Sequence, residues 1–554
     1  MATELSRADK DAEIRVEDNH KGDLVETKDE HLRDMVLGAA EAQKEGRSPW
    51  KVLLENKKVL LLILAVQSNA IIVGVEFSMP GNLLGIPAFL KLFGVESGDS
   101  YAIQAKILTI WSALFATFQV IGQFVGGWQS DYFGRRICLY TVIFWTYIGV
   151  MLEVISSDWK MWLGSKIVIG FATGIMQSVV PTYVAEVAPR ELRAIYLSFF
   201  NMCMNIGGLF ATLVSYGTQT AYGSNIDDLR AFRIPLYVAL ALPTISLLAE
   251  LCILVESPWW LLMRGRKEQA RKNLDYIYSW QDNYDSEAMM AALEYTLEKE
   301  AEENELAKQS SYLDCFKGVD LRRTFCAVFP PITQNLTGQN LAGTYATYFF
   351  QIAGSKTPLV NSVITTVVGL GANFATFFLI ENKRVGRWGL LFSGLIVMTI
   401  SMLAIALIDV IGHSVYNYAA GVMLTLFVSL FIAASTIGPG VAGWAYTGES
   451  GSSRLRAKTA TLGTVGNAIV GLIMTSVLPY MLDSPSAGGA GWGARTGFMF
   501  FILGVACCVG VYFLVPEYAG RSYAQLDELF ARKIPARKFK STETTGEYGR
   551  DVIA

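Results

Sequence analysis

ITQNLTGQNLAGTYATYFF (Ile332–Phe350) lies within an apolar run long enough to cross a bilayer, yet it carries four amides. Gln334, Asn335, Gln339 and Asn340 fall within two helical turns and are followed by Tyr345 and Tyr348. An amide in hydrocarbon is costly unless something hydrogen-bonds it. Four of them, with Gly338 and Gly343 letting neighbouring backbone approach, read as the lining of a polar cavity. Neutral amides supply both donors and an acceptor, which suits a neutral, hydroxyl-rich ligand. Interhelical hydrogen bonding is the alternative, for which one or two amides would be enough.

Outward from that stretch, the whole chain is apolar. Of its 554 residues 52% are hydrophobic and only 17% charged, with a mean hydropathy of +0.35. Such a composition demands a membrane. A net charge of −3 argues against nucleic acid as a partner. The seven cysteines, in no CxxC pair, read as buried thiols. His20, His31 and His413 lie outside the predicted span interiors, which argues against a histidine proton relay or a His-rich metal site. No cofactor is implied.

Apolar runs of about twenty residues occur near 58–79, 105–127, 136–156, 161–184, 194–216 and 234–254, then near 325–350, 359–380, 388–409, 416–446, 459–480 and 497–515. The predicted fold is an all-α membrane protein with twelve spans in two pseudo-symmetric groups of six. Its parts are a polar tail (1–55), a first bundle (56–257), a helical linker domain (258–323), a second bundle (324–516) and a tail (517–554). The linker is predicted helical because Lys267–Leu306 is rich in helix formers. Arg135, Arg136, Arg190, Arg193, Lys383, Arg384, Arg387, Arg454, Arg456 and Lys458 fall in loops on one side, with both tails and the linker. By the positive-inside rule that side is the cytosol. The halves also echo one another. EVAPRELR (Glu186–Arg193) follows span four and ESGSSRLR (Glu449–Arg456) follows span ten. Two six-span repeats around a midplane site is a transporter architecture.

These residues resemble the sugar porters of the major facilitator superfamily over roughly 55–535. Gly127-xxx-Asp131-xx-Gly134-Arg135-Arg136 matches the superfamily's loop signature, and Val255-Glu-Ser-Pro-Trp-Trp-Leu261 looks like its PESPRWL. Pro516-Glu517 with Gly520-Arg521 is similar to PETKG, and Gln334–Asn340 resembles QQxxGxN. The narrower forms ESPWWL, TYFFQIAG (Thr347–Gly354) and RLRAKT (Arg454–Thr459) resemble fungal maltose and α-glucoside permeases, which implies a plasma-membrane protein carrying di- or oligosaccharides with protons.

The resemblance also implies roles. Glu76, deep in span one, lies where proton-coupled porters keep an aspartate. Desolvation there favours the neutral acid, so it can take and release a proton. Lys166, in span four, stands where they carry arginine, and a Glu76–Lys166 pair is expected when Glu76 is ionised. Sugar contacts are implied for Asn201, Gln334, Asn335, Asn340, Trp444 and Asn467, with Asn373 a further candidate. Amides would read hydroxyls while an aromatic face meets the ring. Asp131, Arg135, Arg136, Glu186, Arg193, Glu449 and Arg454 are expected to form an ion-pair latch closing the cytosolic face. The expected protein is a monomeric alternating-access carrier in the lipid bilayer and not an enzyme. An uncoupled hexose facilitator and a membrane sugar sensor are the alternatives. Asn335-Leu-Thr, though a glycosylation sequon, lies inside a span, and glycine-rich Ser486–Gly497 contains no phosphate-binding loop.

Overall fold

A computed structural model describes residues 56–544 except 98–99, 190–191, 224, 279–284, 309–310, 354, 356, 380–385, 413–417, 453, 484, 486–487, 520 and 522. The 1–55 tail, Arg190, Lys383, Arg384 and His413 therefore lie outside the described residues. Eleven helices among the described residues are long and apolar enough to cross a membrane. The first half comprises α1 (Lys57–Leu84), α2 (Ala105–Phe133), α3 (Arg135–Ile155), α4 (Trp159–Val187), α5 (Arg193–Tyr222) and α6 (Arg230–Ile253).

In the second half the seventh span departs from the continuous helix expected over 325–350. It is broken into Gly318–Leu336, Gln339–Ala342 and Ala346–Ile352, together called α7. The break falls at Gly338, whose φ of 101° is left-handed and open to glycine at no steric cost. Breaking the helix there frees backbone amides at membrane depth, which is tolerated where they are buried in protein or line a cavity. α8 (Pro358–Leu379), α9 (Gly386–Gly412), α11 (Arg456–Leu482) and α12 (Thr496–Leu514) follow the expected pattern. Between α9 and α11, α10 runs from Tyr418 to Ile437, passes through a π-turn at Gly438–Gly443 and ends as Trp444–Glu449. Pro439, which lacks an N–H, explains the local change of hydrogen bonding.

Helix neighbours repeat with an offset of six. α1 packs on α5, α2 on α4, and α3 on α4 and α6; α7 packs on α11, α8 on α10, and α9 on α10 and α12. Across the halves α2 meets α11 and α5 meets α8, two contacts that the same offset exchanges. Between lipid-facing helices close approach depends on small residues. Gly122 and Gly126 of α2 and Gly170 and Gly174 of α4 let the two helices approach so tightly that a Cβ on Gly174 would stand 2.1 Å from the Gln119 carbonyl oxygen.

The linker forms helices Pro258–Met263, Lys267–Tyr278 and Ser286–Lys308. The end of the bundle that carries it, with the start of α1 and the end of α12, is the linker end; the opposite end is the far end. Beyond α12 the described residues include helix Tyr523–Ala531 and buried Phe530 and Phe539. Two departures from expectation are local. A short antiparallel hairpin pairs Val95–Ser97 with Ser100–Ala102 at the far end, and Cys252 on α6 is exposed rather than buried.

Candidate functional site

Between the halves lies a chamber of ≈ 1310 Å³. Gln334, Gln339 and Asn340 reach it from α7, Asn201 and Asn205 from α5, and Trp444 from α10. Asn373 also lines it from α8, with its Nδ2 given to the Gly369 carbonyl at 3.1 Å. The α7 amides are held by their neighbours. Gln334 Nε2 donates to Ser435 Oγ at 3.3 Å, Ser435 Oγ donates to Gln339 Oε1, and Asn340 Nδ2 donates to Thr475 Oγ1 at 2.7 Å. Asn201 is exposed to this space, and Trp444 keeps 37% of its surface accessible. A rigid ring of amides with an accessible indole is the chemistry that holds a polyhydroxylated ring.

Two expected sugar ligands stand elsewhere. Asn335 and Asn467 are outside the chamber wall and hydrogen-bonded to each other, Nδ2 to Oδ1 at 2.9 Å. The cause is the turn of α7, which points Gln334 inward and Asn335 at α11. Gln339, read from the sequence as cavity lining though not as a sugar ligand, is in the wall, and Asn205, not foreseen, joins it one helical turn from Asn201.

Toward the far end a second chamber of ≈ 740 Å³ adjoins the first, and Glu76 and Lys166 both line it. Glu76 is 2% exposed, and its Oε2 has no hydrogen-bond partner among the described residues. The Glu76–Lys166 pair, expected when Glu76 is ionised, is not formed in this conformation. Lys166 Nζ is paired with Glu153 near the end of α3, and both side chains are buried. Glu153 was legible as a lone acid in span three. The α3–α4 connection is short, so that acid faces a lysine thirteen residues on.

The far end is shut. Thr109 Oγ1 of α2 donates to the Ser476 carbonyl of α11 at 3.1 Å, and Thr347 Oγ1 of α7 donates to Asn82 Oδ1 of α1 at 2.8 Å. Gly81 lies so close to Thr344 that a Cβ would stand 2.1 Å from its carbonyl oxygen. Just after α11, Asp483 accepts the Tyr348 hydroxyl on Oδ1. Burial pushes its carboxyl up to about 7 from an ordinary 3.8, outweighing the lowering by Tyr348. A carboxyl raised in the folded state contributes stability that is present at low pH and lost as pH climbs to the folded value. Asp483→Asn should therefore gain a few degrees of melting temperature on the wild type between pH 3.8 and about 7. Equal pH slopes for the two proteins would contradict this.

At the linker end the expected latch is rearranged. Arg135 grips Glu186 with a 2.7 Å ion pair and also reaches Asp131 at 3.3 Å. Arg136 contributes its backbone N–H to Glu256 at 3.2 Å, while its guanidinium meets Tyr140. Glu449 pairs with Arg387 and not with Arg454, which is exposed, as is Arg193. One motif repeats between halves. Glu256 accepts the first N–H groups of α3 beside Gly134, and Glu517 accepts those of α9 beside Gly386, both glycines having positive φ. A carboxylate there is favoured by the helix dipole. Each array fastens helices within its own half. Among the described residues, no ion pair at this end joins one half to the other. The expected latch does not join the two halves in this conformation, and its ion pairs stay within each half.

A bundle of two six-helix repeats around a polar chamber is the form of a membrane carrier. Residues 25–530 match the sugar (and other) transporter family, and the chain belongs to it. It is 29% identical to the general alpha-glucoside permease of Saccharomyces cerevisiae over 91% of this chain and 80% of that one. Identity to the maltose permease MAL61 of the same yeast is 28%, covering 93% and 82%. The fold is that of the major facilitator superfamily. The xylose transporter XylE of E. coli in an inward-open conformation superposes with a TM-score of 0.67, at 19% identity over 85% of this chain and 99% of that one. This protein is therefore a multi-pass sugar transporter and not an enzyme.

Proposed function

We propose that the chain imports a neutral di- or oligosaccharide of the maltose or α-glucoside type across the plasma membrane, driven by protons. The observation that carries this reading is a buried acid, Glu76, set beside an amide-lined chamber between two repeats. The names of the permeases to which the chain is similar support the substrate class. With the linker end and both termini in the cytosol, a closed far end corresponds to an inward-facing carrier, working as a monomer. The linker-end arrays of Arg135–Glu186 and Arg387–Glu449 then hold each half rigid while the halves rock.

The coupling follows from counting buried charge. Glu76, Glu153 and Lys166 supply two acids and one base. Lys166 neutralises Glu153, so a charged Glu76 would be buried without a partner, which costs several kcal/mol. The arrangement described here thus suits Glu76 carrying its proton. Release of that proton draws Lys166 from Glu153 toward Glu76 and shifts the population of conformations. In proteoliposomes, maltose added outside should alkalinise the medium as protons enter with it. Maltose uptake without proton movement would remove the coupling from the account. Glu153→Gln leaves Lys166 with Glu76 alone. Uptake near neutral pH should fall by about tenfold, the scale of a ~1.4 kcal/mol interaction, and return on acidification. An unchanged pH profile would show that Glu153 has no part in it.

A further inference from the structure

The smaller chamber does more than house Glu76. α1, α2, α4, α7 and α11 enclose it, with the closed far end above. Its walls are aromatic, with Phe77, Trp111, Phe115 and Trp162 around it. The Trp111 indole N–H is fixed on the Trp159 carbonyl at 3.2 Å. Polar groups are few and convergent: Asn340 and Thr475 on one side, Lys166 and Gln119 on the other. Apolar rings with a handful of placed polar groups suit the C–H faces and hydroxyls of a pyranose. The chamber is also continuous with the amide-lined one, because Phe77, Asn340 and Thr344 line both.

We propose that this chamber is a second sugar subsite, holding the distal pyranose of a di- or trisaccharide whose first ring lies among the amides of the larger chamber. The proposal rests on the reading of the chain as a sugar carrier. Phe77 stands at the neck between subsites and is a specificity-determining residue for chain length. The same placement puts the distal ring against Lys166 and Glu76, so that a two-ring substrate touches the charge cluster directly and a single ring in the larger chamber does not.

α2 presents Ser112, Phe115, Ala116 and Gln119 to the chamber from a single helical face, and Ala116 has the smallest side chain of the four. Ala116→Trp fills the space from the α2 side, away from Gln334 and Gln339, which do not line this chamber, and Ser112→Phe does so one turn away. Uptake of radiolabelled maltose and of glucose, with each sugar competing against the other, reads both subsites in one preparation. For both variants the expected result is a rise of tenfold or more in the maltose KM, on the order of one lost ring contact, with glucose competition unchanged. Equal loss for both sugars, or no loss for maltose, would overturn the second subsite. Wild-type protein that takes up neither sugar would instead fail the carrier reading itself. An aryl α-glucoside that keeps its affinity in Ala116→Trp would likewise count against the assignment, since its aglycone would occupy the same space.

Discussion

Cells expressing the Glu76→Gln variant are expected to equilibrate maltose across the membrane but not to concentrate it. Gln has nearly the shape of Glu and is always neutral, so it mimics the protonated acid and preserves the packing around a residue that is 2% exposed. Lys166 keeps its partner Glu153, and no buried charge is left alone. What is lost is the alternation between two charge states. Without it the empty and loaded carriers reorient alike and the proton gradient no longer biases them. A membrane potential of 100 mV is worth ~2.3 kcal/mol per charge, or about 50-fold accumulation per proton. The variant should fall from that range to a ratio near one, while exchange of labelled for unlabelled maltose continues. Accumulation equal to the wild type would remove Glu76 from the coupling. Loss of exchange together with accumulation would point to a damaged fold.

Gly174→Leu should abolish the folded protein altogether. At this position α4 crosses α2 in backbone contact, and even a Cβ would meet the Gln119 carbonyl oxygen at 2.1 Å and the Gln123 nitrogen at 2.8 Å. Neither atom can swing aside as a flexible side chain would. The helices must separate, and overpacking of this kind costs ~3 kcal/mol or more. Size-exclusion profiles of detergent-solubilised protein should show aggregate in place of the wild-type peak. Gly164, earlier in α4, has nothing within 4 Å of its Cβ position, so Gly164→Ala should elute as the wild type does. A monodisperse, heat-stable Gly174→Leu would contradict the described α2–α4 crossing.

The fold was legible in the sequence because membrane physics leaves few options. Twenty-residue apolar runs have to be helices, and the basic residues at every second loop impose an even span number. The break in α7 was half legible. The amides announced a cavity, while the consequence of Gly338 for backbone direction depends on what α7 packs against. Helical phase explains the mixed outcome at the chamber. Adjacent residues Gln334 and Asn335 point to different neighbours, so one lines the chamber and the other holds α11 through Asn467. Lys166 was recognised as the cation near Glu76, whereas its bond to Glu153 in this conformation was not foreseen, because Glu76 and Glu153 are both acids in apolar runs. Only the packing of α3 on α4 decides between them. The two linker-end carboxylates Glu256 and Glu517 sat in recognisable motifs. Their shared task of accepting the N–H groups of α3 and α9 became visible only when Gly134 and Gly386 were seen to carry the chain past them with positive φ.

Accumulation of radiolabelled maltose by cells lacking their own sugar carriers, with and without a protonophore, tests the central claim most directly. The expressed protein should raise internal maltose above the external level, and the protonophore should collapse it to equilibrium. Uptake that reaches only equilibrium in both conditions, or that ignores the protonophore, would contradict it.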